Sequence, residues 1–145
     1  MMSYRINRIL FLVSALFLLT GMGISPAQAA LSDHFVTTWK TDNPGTSNDT
    51  TITVPMVGGP YDVDWDNDGV FDEFWLTGSA THDFGVAGTY TIRMKGIYNS
   101  IRFQNAGDKD KIVSLDQWGT QPWTTMTRAF EGCAYLEIPA SDTPD

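Results

Sequence analysis

The chain has 145 residues with 17 acidic and nine basic side chains, a net charge of −8. That acidity repels a phosphate backbone and sets the chain against nucleic acid as a partner. Beyond a leader, roughly 115 residues suit one domain with a short attached unit, and Trp39, Trp65, Trp75, Trp118 and Trp123 supply apolar surface for a core without disulfide help.

The first element is a leader over residues 1–29. Arg5 and Arg8 precede an apolar run, Ile9 to Leu19, followed by Gly21, Gly23, Pro26 and the small-residue pattern Ala27-Gln28-Ala29. That order predicts a secretory signal peptide with a signal helix. A membrane-spanning helix needs about 20 apolar residues, and this run is shorter and ends in helix breakers. Cleavage removes two basic residues and no acidic ones, taking the net charge to −10. No cysteine near the cleavage site and no later long apolar run are seen. The expectation is an exported product, at the cell surface, in the periplasm or in the medium, without a membrane span.

Strand signals follow. Phe35 to Trp39 and Thr50 to Val54 are rich in β-branched and aromatic residues, with a polar loop containing Pro44 and Gly45 between them. After the turn Gly58-Gly59-Pro60, the stretch Tyr61 to Asp66 alternates. Tyr61, Val63 and Trp65 are expected in the core, and Asp62, Asp64 and Asp66 on a solvated outer face. Asn67-Asp68-Gly69 turns the chain into a return strand over 71–76. Thr89 to Lys95 alternates again, with Tyr90, Ile92 and Met94 inward, and Ser100 to Phe103 is a short further strand. Short strands at intervals of about ten residues predict a mainly β fold, an immunoglobulin-like β-sandwich.

Past Gly107 the character changes. Asp108-Lys109-Asp110-Lys111 reads as a charged turn and Ile112 to Leu115 as a strand. Trp123, Met126, Thr127 and Phe130 have helical spacing, which predicts a two-turn helix stopped by Gly132. Leu136 to Pro139 is strand-like. Strand, short helix and strand within about 23 residues is the period of a leucine-rich repeat.

Asp64-Trp65-Asp66-Asn67-Asp68-Gly69, then His82, Phe84, Gly88, Tyr90 and Ile92, resemble the polycystic-kidney-disease (PKD) type of immunoglobulin-like domain. The family's W-x-D-G turn is stretched here, because Asp66 and Asn67 separate Trp65 from Asp68-Gly69. Gln117 to Thr120 and Trp123 to Leu136, with its Ala129-Phe130-x-Gly132-Cys133-x-x-Leu136 portion, resemble the opening repeat of BspA-like leucine-rich-repeat surface proteins. The resemblance implies a PKD-like β-sandwich over 30–107 and an incomplete repeat unit over 108–145. It also implies bacterial surface or secreted placement and a binding or adhesion role toward an extracellular protein or glycan. One repeat cannot bury its own apolar face, so the chain is expected to be part of a longer repeat protein or a truncated product. Trp123, Phe130, Leu136 and Ile138 should then be only partly covered.

The chemistry candidates are few. Asp64, Asp66 and Asp68, followed by Gly69 and Asp72, match the start of an EF-hand-type calcium loop. The twelfth position is Trp75 where glutamate is required, and the preceding residues read as a strand. A looser calcium turn through Asp64, Asp66, Asp68 and Asp72 stands against a plain hairpin turn with solvated aspartates. His34 and His82 lie far apart; His82 next to Asp83 has the composition of a base with an orienting carboxylate, and in the resembled family it is a structural strand residue. Cys133, the only cysteine, has the apolar neighbours of a buried thiol. Trp65 and Trp123 are expected in the core, and a sugar-stacking face would fall to Trp39 and Trp118. No catalytic residues are assigned, and no cofactor beyond a structural calcium. The expected function is a non-enzymatic binding module; the alternative is a calcium-assisted carbohydrate-binding domain, with a glycan-active enzyme third.

Overall fold

A computed structural model describes residues 31–145; the expected signal peptide, 1–29, lies outside them. Nine strands follow in chain order: β1 (Phe35–Lys40), β2 (Thr51–Val54), β3 (Met56–Val57), β4 (Tyr61–Asp64), β5 (Glu73–Leu76), β6 (Ala80–Asp83), β7 (Thr89–Gly96), β8 (Ser100–Ile101) and β9 (Ile112–Gln117). The large sheet has the order β5-β4-β7-β1-β9, while β2 pairs with β6 and β3 with β8. All of these pairs are antiparallel, and the fold is mainly β.

Alternation explains the large sheet. In β1, Phe35, Thr37 and Trp39 stand opposite Met94, Ile92 and Tyr90 of β7. Five of these six are buried or nearly so, and Tyr90 is half-buried. Thr91, Arg93 and Lys95 take the other face and stay half-exposed. The short sheets close over the apolar face: Ile52 and Val54 of β2, Met56 of β3, Ala80 of β6 and Ile101 of β8 share one core with Phe35, Trp39, Tyr61, Val63, Ile92 and Met94. Layered sheets around one core are compatible with a sandwich. β9 lies beyond residue 107 yet joins this sheet, and Ile112, Leu115 and Trp118 join its core.

Three expectations are corrected. The helix expected over Trp123–Phe130 does not form; among the described residues this stretch is a series of turns. The carbonyls of Arg128, Ala129 and Glu131 accept the amides of Gln104, Phe103 and Asn105, so they are committed to another segment. Arg128 sits at φ 58°, outside the helical region. Trp39 and Trp118, expected at the surface, are 0% and 9% exposed. The Trp39 indole N–H donates to Thr37 Oγ1 at 2.9 Å, and Trp118 packs against Phe35, Trp123 and Phe130. Asp64, expected on a solvated face, is 0% exposed, because its carboxylate turns into the hairpin that follows.

The chain end returns to the sheet. β9 has β1 on one side, and on the other a single parallel bridge joins Ser114 to Glu137. Glu137 N donates to Val113 O at 3.0 Å, and Leu115 N to Glu137 O at 2.9 Å. Trp123, Phe130 and Leu136 are partly covered and Ile138 is 54% exposed, as the sequence leads one to expect. Among the described residues no helix is long and apolar enough to cross a membrane.

Candidate functional site

The hairpin between β4 and β5 carries the aspartates. Asn67 at φ 58° and Gly69 at φ 95° supply the left-handed conformations that reverse the chain. The buried Asp64 carboxylate accepts Asp68 N at 3.2 Å and Gly69 N at 2.9 Å. Asp72 Oδ2 accepts Trp65 N at 2.8 Å. These bonds bring carboxylate oxygens of Asp64, Asp66 and Asp72 within 4.8 Å of one another. Asp68, the fourth expected ligand, is not in this group; its Oδ1 accepts Val70 N at 2.7 Å. Burial, opposed by the amides of Gly69, Asn67 and Asp68 and reinforced by the Asp66 charge, raises the Asp64 carboxyl above its ordinary pKa. Oxygen donors held this close suit a hard cation of the calcium type.

His82 is part of an aromatic ladder. Its ring stacks on Trp65, with centroids 4.6 Å apart, and meets Phe84 edge-on at 4.6 Å. Phe84 stacks in turn on Tyr90 at 3.9 Å. The neighbouring Asp83 carboxylate accepts Thr50 Oγ1 and Gly85 N through Oδ1, while the imidazole packs between the rings of Trp65 and Phe84. The Thr50 hydroxyl first, then the Gly85 amide, hold Asp83 below the usual carboxylate range. His34 packs edge-on against Phe71, and burial, followed by Arg93 and Lys95, lowers its pKa. Burial and then Asp110 push the Cys133 thiol up to about 11, which disfavours the nucleophilic thiolate.

A second feature lies beside the aspartate turn. β4 and β5 pair Tyr61 with Leu76 and Val63 with Glu73, so β5 holds one extra residue. Trp75 lies in this bulge at φ 61°, the conformation for which a bulge ordinarily uses glycine. Its amide donates to Asp62 Oδ1 at 3.1 Å, and its side chain is 78% exposed. Trp75 borders an open cavity of about 300 Å³, lined also by Pro60, Tyr61, Asp62, Lys95 and Ile97. Asp62 and Lys95, opposed across β4 and β7, stand 3.8 Å apart. Burial, then Glu73, pushes the Tyr61 hydroxyl up to about 12, so it remains a donor, to Gly78 O.

Sequence reasoning missed Trp75. The available signal was the run Phe74-Trp75-Leu76, three apolar residues in succession where a half-buried strand alternates. With the fold and these sites in view, the protein is a mainly β chain. No protein-family model, no curated protein and no solved structure matches it.

Proposed function

We propose that the chain is a non-enzymatic binding module of an exported or surface-associated protein. In this proposal a PKD-like sandwich over 30–107 leads into a leucine-rich-repeat unit over 108–145, the two sharing β9, which completes the large sheet on one side and bridges to Glu137 on the other. The observation that carries the repeat reading is the parallel bridge from Ser114 to Glu137, one repeat period along the chain. Partly covered Leu136 and exposed Tyr135 and Ile138 beside it are the kind of face that a stacked neighbour covers. The leader pattern over 1–29 supports export. The mechanism is display: rigid strands hold a surface toward an extracellular protein or glycan.

The repeat reading is tested by fusing two consensus repeats after Asp145. A single cooperative transition at a higher melting temperature supports it; independent unfolding of the added repeats counts against it. The binding reading is tested by probing the immobilised full chain with glycan and extracellular-matrix protein arrays, on which a folded protein that captures nothing would end it.

A second reading, a calcium-assisted carbohydrate-binding domain, is favoured by the convergence of Asp64, Asp66 and Asp72 within 4.8 Å. Calorimetric titration of calcium checks it. Neither heat nor a shift in melting temperature would remove the metal from that reading.

A further inference from the structure

The groove at the β4–β5–β7 corner joins three independent features. Trp75 is a large apolar side chain at 78% exposure. It is held in a left-handed backbone conformation, φ 61°, which is an outlier for a bulky residue. Asp62, which accepts the Trp75 amide, and Lys95 flank the same cavity. At 3.8 Å their charged atoms are too far apart for a close hydrogen bond. The ammonium also lies over the Phe71 ring at 4.0 Å, a contact that leaves N–H donors to spare, and Asp62 Oδ2 has acceptor capacity beyond the Trp75 amide held by Oδ1.

We propose that this groove is a pyranose-binding subsite, with the Trp75 indole as stacking platform and Asp62 and Lys95 as partners of ring hydroxyls. The proposal rests on the binding-module reading and names the ligand class for it. Its chemistry follows from exclusion by the walls. A cationic ligand would meet Lys95. An anionic one would meet Asp62 and a strongly acidic protein. A wholly apolar one would cover Asp62 and Lys95 without pairing them. A neutral ring with one apolar C–H face and hydroxyls on its rim satisfies the indole and both charged groups together. The bulge explains the position: the extra residue in β5 re-aims Trp75 beside Asp62.

The test uses the full chain and follows the indole N–H resonances during titration with cellohexaose, chitohexaose, maltohexaose, mannohexaose and xylohexaose. At least one of these should move the Trp75 resonance. Trp75→Ala should weaken that binding about tenfold or more, the scale of a lost aromatic contact, while Trp75→Phe should stay within about threefold of the parent. Unchanged resonances of Trp39, Trp65, Trp118 and Trp123 certify that each variant is folded. No response of Trp75 to any of these sugars, or full binding by Trp75→Ala, overturns the proposal. Sugar bound elsewhere with Trp75 unmoved overturns the groove and leaves the binding module standing. Capture of a protein through Trp75 without a sugar response overturns the ligand class alone. Silence on sugars and on protein arrays removes both readings.

Discussion

Asp108 and Lys111 grip the same loop from two sides. Asp108 accepts the amides of Thr46, Ser47 and Thr53 at 2.7–3.0 Å and the Ser47 hydroxyl at 2.7 Å. Four oxygens, Ser47 O, Ser47 Oγ, Asn48 O and Thr51 O, surround the Lys111 ammonium at 2.7–3.1 Å and share its three protons. Both residues are essentially closed to solvent, at 1% and 0% exposure, so their charges are satisfied by the loop and not by water. Asp108→Asn and Lys111→Met should each lower unfolding free energy by about 3 kcal/mol, because each strands several buried partners. Urea unfolding of both variants measures this, and losses below about 1 kcal/mol would contradict the arrangement.

The same contact makes stability depend on acid. Burial works against the Asp108 charge, but the Ser47 amide and hydroxyl, the Thr53 amide and Lys111 outweigh it and hold the carboxyl below its ordinary value. A depressed folded value gives stability that is present in full above the unfolded value, about 3.9, and lost as pH falls through the folded one. Asp64, raised by burial, acts in the opposite sense: its contribution is favourable below the unfolded value and is lost as pH rises through the folded one. Carbon-detected titration should place Asp108 below and Asp64 above the ordinary carboxylate midpoint.

Gly45 should tolerate no side chain. A Cβ there would lie 2.5 Å from Asp108 Oδ1 and 2.6 Å from Lys111 Cε. Gly45→Ala should therefore cost about 1–3 kcal/mol, part of it through displaced bonds to the loop. Thermal melts of the variant alone and combined with Lys111→Met would show sub-additive losses if the clash acts through the ammonium.

Replacing Trp75 with glycine should stabilise the fold. A left-handed conformation costs an ordinary residue about 1–2 kcal/mol, and glycine returns roughly 0.5–1 kcal/mol of that as chain entropy. The exposed indole has little burial to lose. A melting temperature raised by a few degrees is the expected result; a lowered one would show that the ring supports the groove it borders.

If the aspartate turn takes calcium, the metal reverses the sign at Asp64 by favouring its charged form. Millimolar calcium should then raise the melting temperature at neutral pH and lower the Asp64 midpoint. Asp72→Asn should abolish both effects, whereas Asp68→Asn, outside the three-carboxylate group, should retain most of each. A calcium response unaltered by Asp72→Asn would place the ion elsewhere.

Most strands were legible because they obey a local rule. β1, β2, β4 and β7 are rich in β-branched and aromatic residues at alternating positions, and alternation depends only on near neighbours. β3 is two residues long and follows Pro55, too short to show a period. β6, Ala80–Asp83, is visible only through the resemblance that places His82 on a strand. The apolar spacing of Trp123, Met126 and Phe130 suggested a helix because the carbonyls that prevent it are claimed by Phe103 to Asn105, some 25 positions earlier. Three of the four aspartates proposed as ligands do converge; Asp64 is buried because its carboxylate folds back onto the amides of Asp68 and Gly69, which strand alternation does not show. Asp108 and Lys111 read only as part of a charged turn, because the loop that encloses them lies about 60 residues back.

The bulge that carries Trp75 also decides how the sheet's rim can be used. β5 is the outer strand of the five, only four residues long, with its pairing interrupted by the extra residue. The Trp75 amide is already committed to the Asp62 carboxylate. An incoming extended segment would find no even row of donors and acceptors to zip onto. The short, bulged rim is thereby a poor template for strand addition, by a partner or by another copy of the chain. Whatever meets the molecule at this corner meets it through side chains.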